Sequence, residues 1–200
     1  MKSYPHNPQL VLASQSRARR QLLTEAGLVF QAQAALIDEK QLKAAHPDLN
    51  ARDLAVFLAS EKAKNVSTMY PHSWVIGADQ TLACEGEVFE KPETVADVAC
   101  GIARLQGREQ VLWTAVTVMR EGVEVWTHLT ESRLRMKPMS LAEQAAYVRD
   151  KGQEVLGCLG CFQIEKTPEL FSRIDGDRTA IQGLPMPELL AFLRGAGVTA

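Results

Sequence analysis

The order of apolar runs along the chain places the strongest constraint on its fold. Short apolar runs at 10–13 and 74–78 alternate with segments of helical spacing, which is typical of α/β folds. Two longer runs, 111–118 and 123–134, then flank residues 120–122, whose Arg-Glu-Gly sequence is a hairpin signal. Because a hairpin joins antiparallel strands, the sheet cannot be purely parallel. The sequence therefore predicts an α/β fold with a mixed, twisted sheet flanked by helices.

Capping residues predict where the helices begin. A Ser, Thr or Asn side chain can accept a backbone N–H of the first helical turn. Such residues precede four segments of helical spacing, at Ser14 or Ser16, Asn50, Thr94 and Ser140. A last helix is expected after Pro187, whereas the polar segment leading to Pro47 is assigned none. The strand at 74–78 is expected to end abruptly at Asp79.

The composition excludes several classes of protein. A chain of 200 residues, 46% of them hydrophobic, can bury one substantial core, so we predict a single folding unit over 1–200. A formal net charge of −2 provides no field that attracts nucleic acid or an anionic membrane. No run approaches the ~20 apolar residues of a membrane span, and residues 1–6 lack the apolar centre of a secretion signal. We expect a cytoplasmic protein without nucleic-acid or membrane partners.

Cys158 and Cys161 have the C-x-x-C spacing of thiol redox sites and of half a zinc site. The second half of a zinc site is missing, because Cys84 and Cys100 form no pair of that spacing. A redox pair is expected at a helix start, but the flanking glycines and the following Phe-Gln-Ile favour a strand here. Two small buried thiols are therefore the favoured interpretation, and a thiol oxidoreductase is an alternative.

Residues 13–20, with the sequence A-S-Q-S-R-A-R-R, are the first candidate site. A strand turns into a helix here, and helix-start amides, hydroxyls and guanidinium groups all suit phosphate oxygens. The alternative is an exposed first helical turn. Positive charge at a helix N-terminus opposes the macrodipole, which favours the interpretation that an anion binds. The glycines of a P-loop are absent from this stretch.

Asp79 is the second candidate, because it follows a buried apolar run. An aspartate at a strand end can hold Mg²⁺ or take a proton from water, and Gly77 would let a ligand approach closely. The alternative is a turn aspartate that caps local amides. Lys62 and Lys91 could supply balancing positive charge, although either one alone is more often a surface lysine.

Short motifs in a fixed order resemble those of the Maf family of nucleotide pyrophosphatases, whose patterns are roughly A-S-x-S-P-R-R, E-K-A, G-A-D-T/Q and G-K-P. The matching stretches here are Ala13-Ser14-Gln15-Ser16-Arg17-Ala18-Arg19-Arg20, Glu61-Lys62-Ala63, Gly77-Ala78-Asp79-Gln80 and Glu90-Lys91-Pro92. G-C-F-Q-I-E at 160–165 and G-L-P at 183–185 also match in position. The resemblance thus covers nearly the whole chain.

The resemblance implies hydrolysis of a nucleoside triphosphate to the monophosphate and pyrophosphate, in a cleft between two lobes, with a divalent metal such as Mg²⁺ or Mn²⁺. It places the catalytic aspartate at Asp79, which would also bind metal together with Glu39. The substrate-binding residues it implies are Ser14, Arg19, Arg20, Lys62 and Lys91. Cations that neutralise the triphosphate and a carboxylate that positions metal and water form a coherent set for attack at the α-phosphorus.

Departures from the family pattern bear on substrate choice. Arg17-Ala18 alters the usual Pro-Arg or Pro-Trp step, and Glu90 replaces the glycine before Lys91. Gln80 and Glu165 resemble the branch that acts on 7-methyl-GTP, and a carboxylate could accept hydrogen bonds from a guanine edge. Ala18 removes the stacking surface that an aromatic residue often provides there. The alternative functions are a dTTP/UTP pyrophosphatase and a catalytically weak nucleotide-binding regulator of cell division. A homodimer is one possible oligomeric state.

Overall fold

A computed structural model describes residues 9–198 of the chain. Residues 1–6, on which the expectation about secretion rests, lie outside this range. Among residues 9–198, no helix is long and apolar enough to cross a membrane.

Seven strands and seven α-helices are formed within residues 9–198. The strands are β1 (Leu10–Leu12), β2 (Gln31–Ala32), β3 (Trp74–Cys84), β4 (Glu87–Phe89), β5 (Glu109–Arg120), β6 (Val123–Met136) and β7 (Phe171–Asp175). The helices are α1 (Arg17–Glu25), α2 (Glu39–Ala45), α3 (Ala51–Ser67), α4 (Val95–Leu105), α5 (Leu141–Lys151), α6 (Arg178–Gln182) and α7 (Met186–Gly195). The predicted caps Ser16, Asn50, Thr94 and Ser140 each accept a backbone N–H of the following helix.

The strands form one mixed sheet in the order β2-β1-β3-β5-β6-β7, with β4 paired to the far end of β3. β1 is parallel to β2 and β3, whereas β3, β5, β6 and β7 are successively antiparallel. Glu121 and Gly122 join β5 to β6 with φ of 55° and 75°, the left-handed pair that a tight hairpin requires. The prediction of a mixed α/β sheet is confirmed, whereas the single folding unit stays a prediction.

Three local expectations are wrong. β3 continues through Asp79 to Cys84, because Asp79 stays in register with Ala115 of β5 while its side chain is paired beneath α3. The segment before Pro47 contains α2, whose N-cap Asp38 accepts the N–H of Gln41. A 3₁₀ turn, Leu159–Cys161, replaces the strand expected around the C-x-x-C pair.

Two hydrophobic clusters lie on one face of the sheet, divided by a polar pair. The first lobe packs β1, α1 and α7 around residues that include Leu12, Leu23, Ile76 and Leu189. The second lobe packs α4, α5 and the far half of β3 around residues that include Leu82, Ile102, Leu134 and Phe162. Gln80 and Thr114, which are cross-strand partners, separate the two clusters. α6 covers Thr114, whereas Gln80 lines the cleft between the two lobes, as the two-lobed expectation requires.

The opposite face of the sheet is covered by α3 at very close range. Ala55, Ala59 and Ala63 are completely buried along this helix. A Cβ at Gly77 would lie 2.2 Å from the Ala59 carbonyl oxygen and 2.6 Å from the Ala63 nitrogen. Only glycine permits this approach, so Gly77 and Ala63 together bring the neighbouring Lys62 against Asp79.

Candidate active site

A cleft of about 860 Å³ lies between the lobes. The loop after β1 and the first turns of α1 form one wall, and the segment 157–166 contributes to the opposite side. Of the residues implied by the family resemblance, the cleft is lined by Ser14, Ala18, Arg19, Glu39, Lys62, Gln80, Lys91 and Glu165. Strands of an open α/β sheet commonly present ligands at their carboxyl ends, which is where Ser14 follows β1.

Lys62 bridges two carboxylates, Glu39, which lines the cleft, and Asp79, which lies outside the lining. Its Nζ donates to Asp79 Oδ1 in a short contact and lies 2.9 Å from Glu39 Oε1. Asp79 and Lys62 are only 4% and 7% exposed, so the pair is largely shielded from water. Glu39 reaches the same ammonium from the first turn of α2. Three elements that are separate in sequence thus place two carboxylates around one cation.

The charges around this bridge are coupled. Burial alone would raise the pKa of Glu39, but Lys62, Lys91 and Lys43 outweigh it and hold that pKa below its usual value. Desolvation lowers the pKa of Lys91, and the positive charge of Lys62 adds to this lowering. Asp79 opposes the shift. The site therefore brings cations into mutual repulsion, and a polyanionic ligand would relieve it.

Arg19 is buried and joins three parts of the chain. Its Nη1 donates to the Ala78 carbonyl at 2.8 Å and to Ser14 Oγ at 3.4 Å, while its Nε donates to the Gly183 carbonyl at 3.0 Å. Burial lowers the pKa of Arg19, an effect that Asp79 and Glu39 oppose. In these contacts Arg19 fixes the loop after β1 against β3 and the end of α6.

Ser14 and Gln80 are held differently. Ser14 Oγ accepts from the Ser16 N–H at 3.1 Å and from Arg19, and within residues 9–198 no acceptor takes its own hydroxyl hydrogen. Gln80 Nε2 instead donates to Thr114 Oγ1, the Ala180 carbonyl and the Ile181 carbonyl at 3.0–3.1 Å. Gln80 therefore anchors α6 over the sheet, whereas Ser14 keeps a donor for a ligand.

One end of the cleft is partly apolar. Ala18, Leu22 and Glu25 line it from one face of α1, at the i, i+4, i+7 spacing of a helix. Phe162 and Ile164 contribute apolar lining from another segment, and Glu165 is exposed there. Glu25 was missed by sequence reasoning, although its helical spacing from Ala18 could have identified it. Arg20, by contrast, is exposed and lies outside the cleft lining.

The C-x-x-C pair does not have the surroundings of a redox centre. Burial raises the pKa of the Cys161 thiol to about 12. This shift keeps Cys161 protonated, and the pair lies at a 3₁₀ turn rather than at the start of an α-helix, where the dipole would lower a thiol pKa. Cys158 lines the cleft, and Gln163 Nε2 lies 3.3 Å from its sulfur. Both thiols are free; Cys161 is buried as expected, whereas Cys158 is only partly buried.

A two-lobed α/β fold whose cleft combines lysines with a bridged carboxylate pair is typical of proteins that bind phosphorylated ligands. Within that class, the Maf-like protein family matches residues 9–196. The chain belongs to the Maf family.

Similar proteins span almost the whole chain. A nucleoside triphosphate pyrophosphatase of Nitrobacter hamburgensis is 42% identical over 190 residues, covering 94% of both chains. A 7-methyl-GTP pyrophosphatase of Rhizobium johnstonii is 40% identical, covering 95% of this chain and 97% of that one. Among solved structures, the Staphylococcus aureus Ham1 protein covers 94% of this chain and 98% of its own, with a TM-score of 0.43 and 14% identity. That structural similarity is too low to support an inference.

Proposed function

We propose that this protein hydrolyses a nucleoside triphosphate to the monophosphate and pyrophosphate. The observation that carries the proposal is that Lys62, which lines the cleft together with Glu39 and Lys91, is paired with Glu39 and with the buried Asp79. Relatives that match over more than nine-tenths of the chain are named as nucleoside triphosphate pyrophosphatases. Cations can neutralise the phosphate chain while a carboxylate positions water at the α-phosphorus.

Individual residues suit different parts of this reaction. Ser14 has a hydroxyl hydrogen to donate to a phosphate oxygen, and Lys91 makes no hydrogen bond or ion pair with another residue in 9–198. Lys62 would stabilise negative charge that develops on the reacting phosphate. Asp79 would orient the attacking water and accept its proton. Arg19 would hold the phosphate-binding loop in place, since its donors contact backbone carbonyls.

A divalent metal fits this arrangement as part of the proposal. Within residues 9–198 no cluster of three or more metal-ligating side chains occurs. Glu39 and Asp79 nevertheless approach one cation, the Lys62 ammonium, so both carboxylates can serve one positive centre. Mg²⁺ typically uses one or two carboxylates together with substrate phosphates and water, and Mn²⁺ accepts the same oxygen ligands. When bound, the metal would supply charge neutralisation and polarise a phosphoryl oxygen.

A panel of nucleotides tests the proposed reaction. The purified protein is incubated with the common nucleoside triphosphates and 7-methyl-GTP, with Mg²⁺, with Mn²⁺ and with a chelator, while pyrophosphate and inorganic phosphate are measured separately. We expect pyrophosphate and the monophosphate in equal amounts, and loss of activity with the chelator. Release of inorganic phosphate alone would contradict the proposal. Nucleotide binding without turnover would support the regulator of cell division instead.

We further propose that Glu165 favours 7-methyl-GTP over pyrimidine nucleotides such as UTP. Its carboxylate is exposed at the partly apolar end of the cleft and has no ion-pair or hydrogen-bond partner among residues 9–198. 7-Methylguanine carries a positive charge, and its edge has two hydrogen-bond donors. A carboxylate attracts the positive charge and accepts from the donors. Ala18, which borders the same space, leaves room for a purine.

Glu165→Gln is expected to lower the preference for 7-methyl-GTP over UTP about tenfold, because a charged hydrogen bond becomes a neutral one. The ratio of the two kcat/KM values measures this preference. Glu169→Gln is the matched control, since Glu169 is exposed outside the cleft. If the ratio in Glu165→Gln equals that in the control and in the wild type, Glu165 does not select the base. A preference for dTTP or UTP in the wild type itself would favour that alternative substrate class.

A further inference from the structure

Helix α2 lies at the edge of the site and makes several polar contacts with its neighbours. All seven residues of α2 (Glu39–Ala45) are described by the structure, and none of them is buried. Its first residue, Glu39, contacts Lys62, and Leu36 just before it donates its N–H to Asn65 Oδ1 at 2.8 Å. His46 at its C-cap also packs edge-on against Phe57 of α3, with ring centroids 4.5 Å apart, so polar contacts and this one ring contact hold the helix.

Two ion pairs tie α2 to the segment that carries Lys91. Lys43 Nζ lies 2.9 Å and 2.7 Å from the two carboxylate oxygens of Glu90, and Lys40 Nζ lies 2.9 Å from Glu93 Oε1. Lys43 is one helical turn after Glu39, and Glu90 directly precedes Lys91. These two pairs, the interlobe ion pairs, therefore connect the helix that begins with Glu39 to the segment that contains Lys91.

The interlobe ion pairs join the two lobes. Residues 90–93 follow β4, whose Phe89 packs in the cluster of the second lobe. The Pro92 carbonyl also accepts the Gly157 N–H at 2.9 Å, which links this segment to the loop lining the cleft. α2 follows β2, which pairs with β1 of the first lobe. Glu90 stands where the family pattern has glycine, so one partner of this connection comes from a departure in this chain.

We propose that the interlobe ion pairs position Glu39 and Lys91 on opposite sides of the Lys62–Asp79 pair and close α2 over the bound nucleotide. Lys40, Lys43, Glu90 and Glu93 are thus positioning residues, and this inference rests on the proposed pyrophosphatase function. Exposed ion pairs are weak and are screened by salt, so they can break and form again in each catalytic cycle. Closure of a short segment over a substrate is a common way to complete a site and to exclude water.

Charge reversal of one pair tests the proposal. Lys43→Glu and Glu90→Lys should each lower kcat/KM for the best nucleotide about fivefold, the upper range for an exposed pair. The doubly reversed protein has the wild-type net charge and a pair of opposite orientation, so its loss in kcat/KM should be smaller than the product of the two single losses; recovery stays partial, because position 43 no longer carries the positive charge that lowers the pKa of Glu39. Losses that simply multiply in the double variant would overturn the proposal, because they would exclude an interaction between the two side chains.

Hydrogen exchange separates this inference from the proposed function. Backbone amides of α2 should exchange up to about fivefold faster in each single variant and return to the wild-type rate in the double variant, whether or not the protein is active. Reversal of Arg149 and Asp150, an exposed pair on α5, should change neither α2 exchange nor kcat/KM. Unchanged exchange of α2 in both single variants would refute the positioning role. A wild type that releases no pyrophosphate would refute the proposed function alone.

Discussion

Replacing Asp79 by asparagine is expected to lower kcat for nucleoside triphosphate hydrolysis about 10³-fold, the range for a group that transfers a proton or stabilises the transition state. The amide cannot accept a proton from water, and it removes one of the two carboxylates that face Lys62. Asparagine keeps an oxygen that can accept from Lys62, and Lys62 keeps Glu39 as an ion-pair partner. The fold and nucleotide binding should therefore persist. Steady-state pyrophosphate release and nucleotide titration measure the two effects.

Asp48→Asn is the matched control for this change, because Asp48 is exposed in the turn before α3 and lies outside the cleft lining. It should retain the wild-type kcat. A kcat of Asp79→Asn within about tenfold of wild type would remove Asp79 from the role of catalytic residue, since that role predicts a larger loss. Thermal unfolding of both variants identifies any loss that comes from misfolding.

A methyl group at Gly77 should disturb both the stability and the activity of the protein. In Gly77→Ala the new Cβ would lie 2.2 Å from the Ala59 carbonyl oxygen, so α3 must move away from β3. Because both contacts are to backbone or tightly packed alanine, we expect a loss of about 3 kcal/mol in the free energy of unfolding, at the upper range for overpacking. The same movement would pull Lys62 away from Asp79 and lower kcat. Denaturant unfolding and kcat, measured on one preparation, check the two effects.

Gly195→Ala provides the comparison, since this glycine lies in α7 with open space around its Cβ position. Alanine is the better helix former, so this variant should be as stable as the wild type or up to about 1 kcal/mol more stable. If Gly77→Ala retained wild-type stability, α3 would not depend on this close approach to β3. Wild-type kcat in a destabilised Gly77→Ala would separate the packing of α3 from the position of Lys62.

Local signals in the sequence predicted most of the helices and strands. Thr94 and Ser140 each cap a helix as expected, and Glu121-Gly122 makes the expected turn. These features depend on residues within a few positions of each other, so they can be read without knowledge of the tertiary structure. The end of β3 could not be predicted from such local signals. Asp79 lies within the strand and is neutralised by Lys62 of α3, a partner 17 positions away in the sequence.

The sequence predicted most residues of the candidate site but not the contacts among them. The family resemblance named Ser14, Lys62 and Lys91, and the structure brings them to one cleft. The contacts of Gln80 with Ala180 and Ile181 could not be read, since they join residues about one hundred positions apart. The two pairs between α2 and residues 90–93 depend on tertiary contacts in the same way. Lys40 and Lys43 on their own resemble ordinary surface lysines.

The bond from Arg19 to the Gly183 carbonyl spans 164 positions of sequence. Contacts of such separation form late, because the chain between them must first be ordered. During synthesis the loop after β1 leaves the ribosome long before α6, and domains are completed only when their last segments are available. The loop after β1 therefore lacks one of its supports throughout most of translation. The loop that carries Ser14 should therefore reach its final position only after α6 has been made.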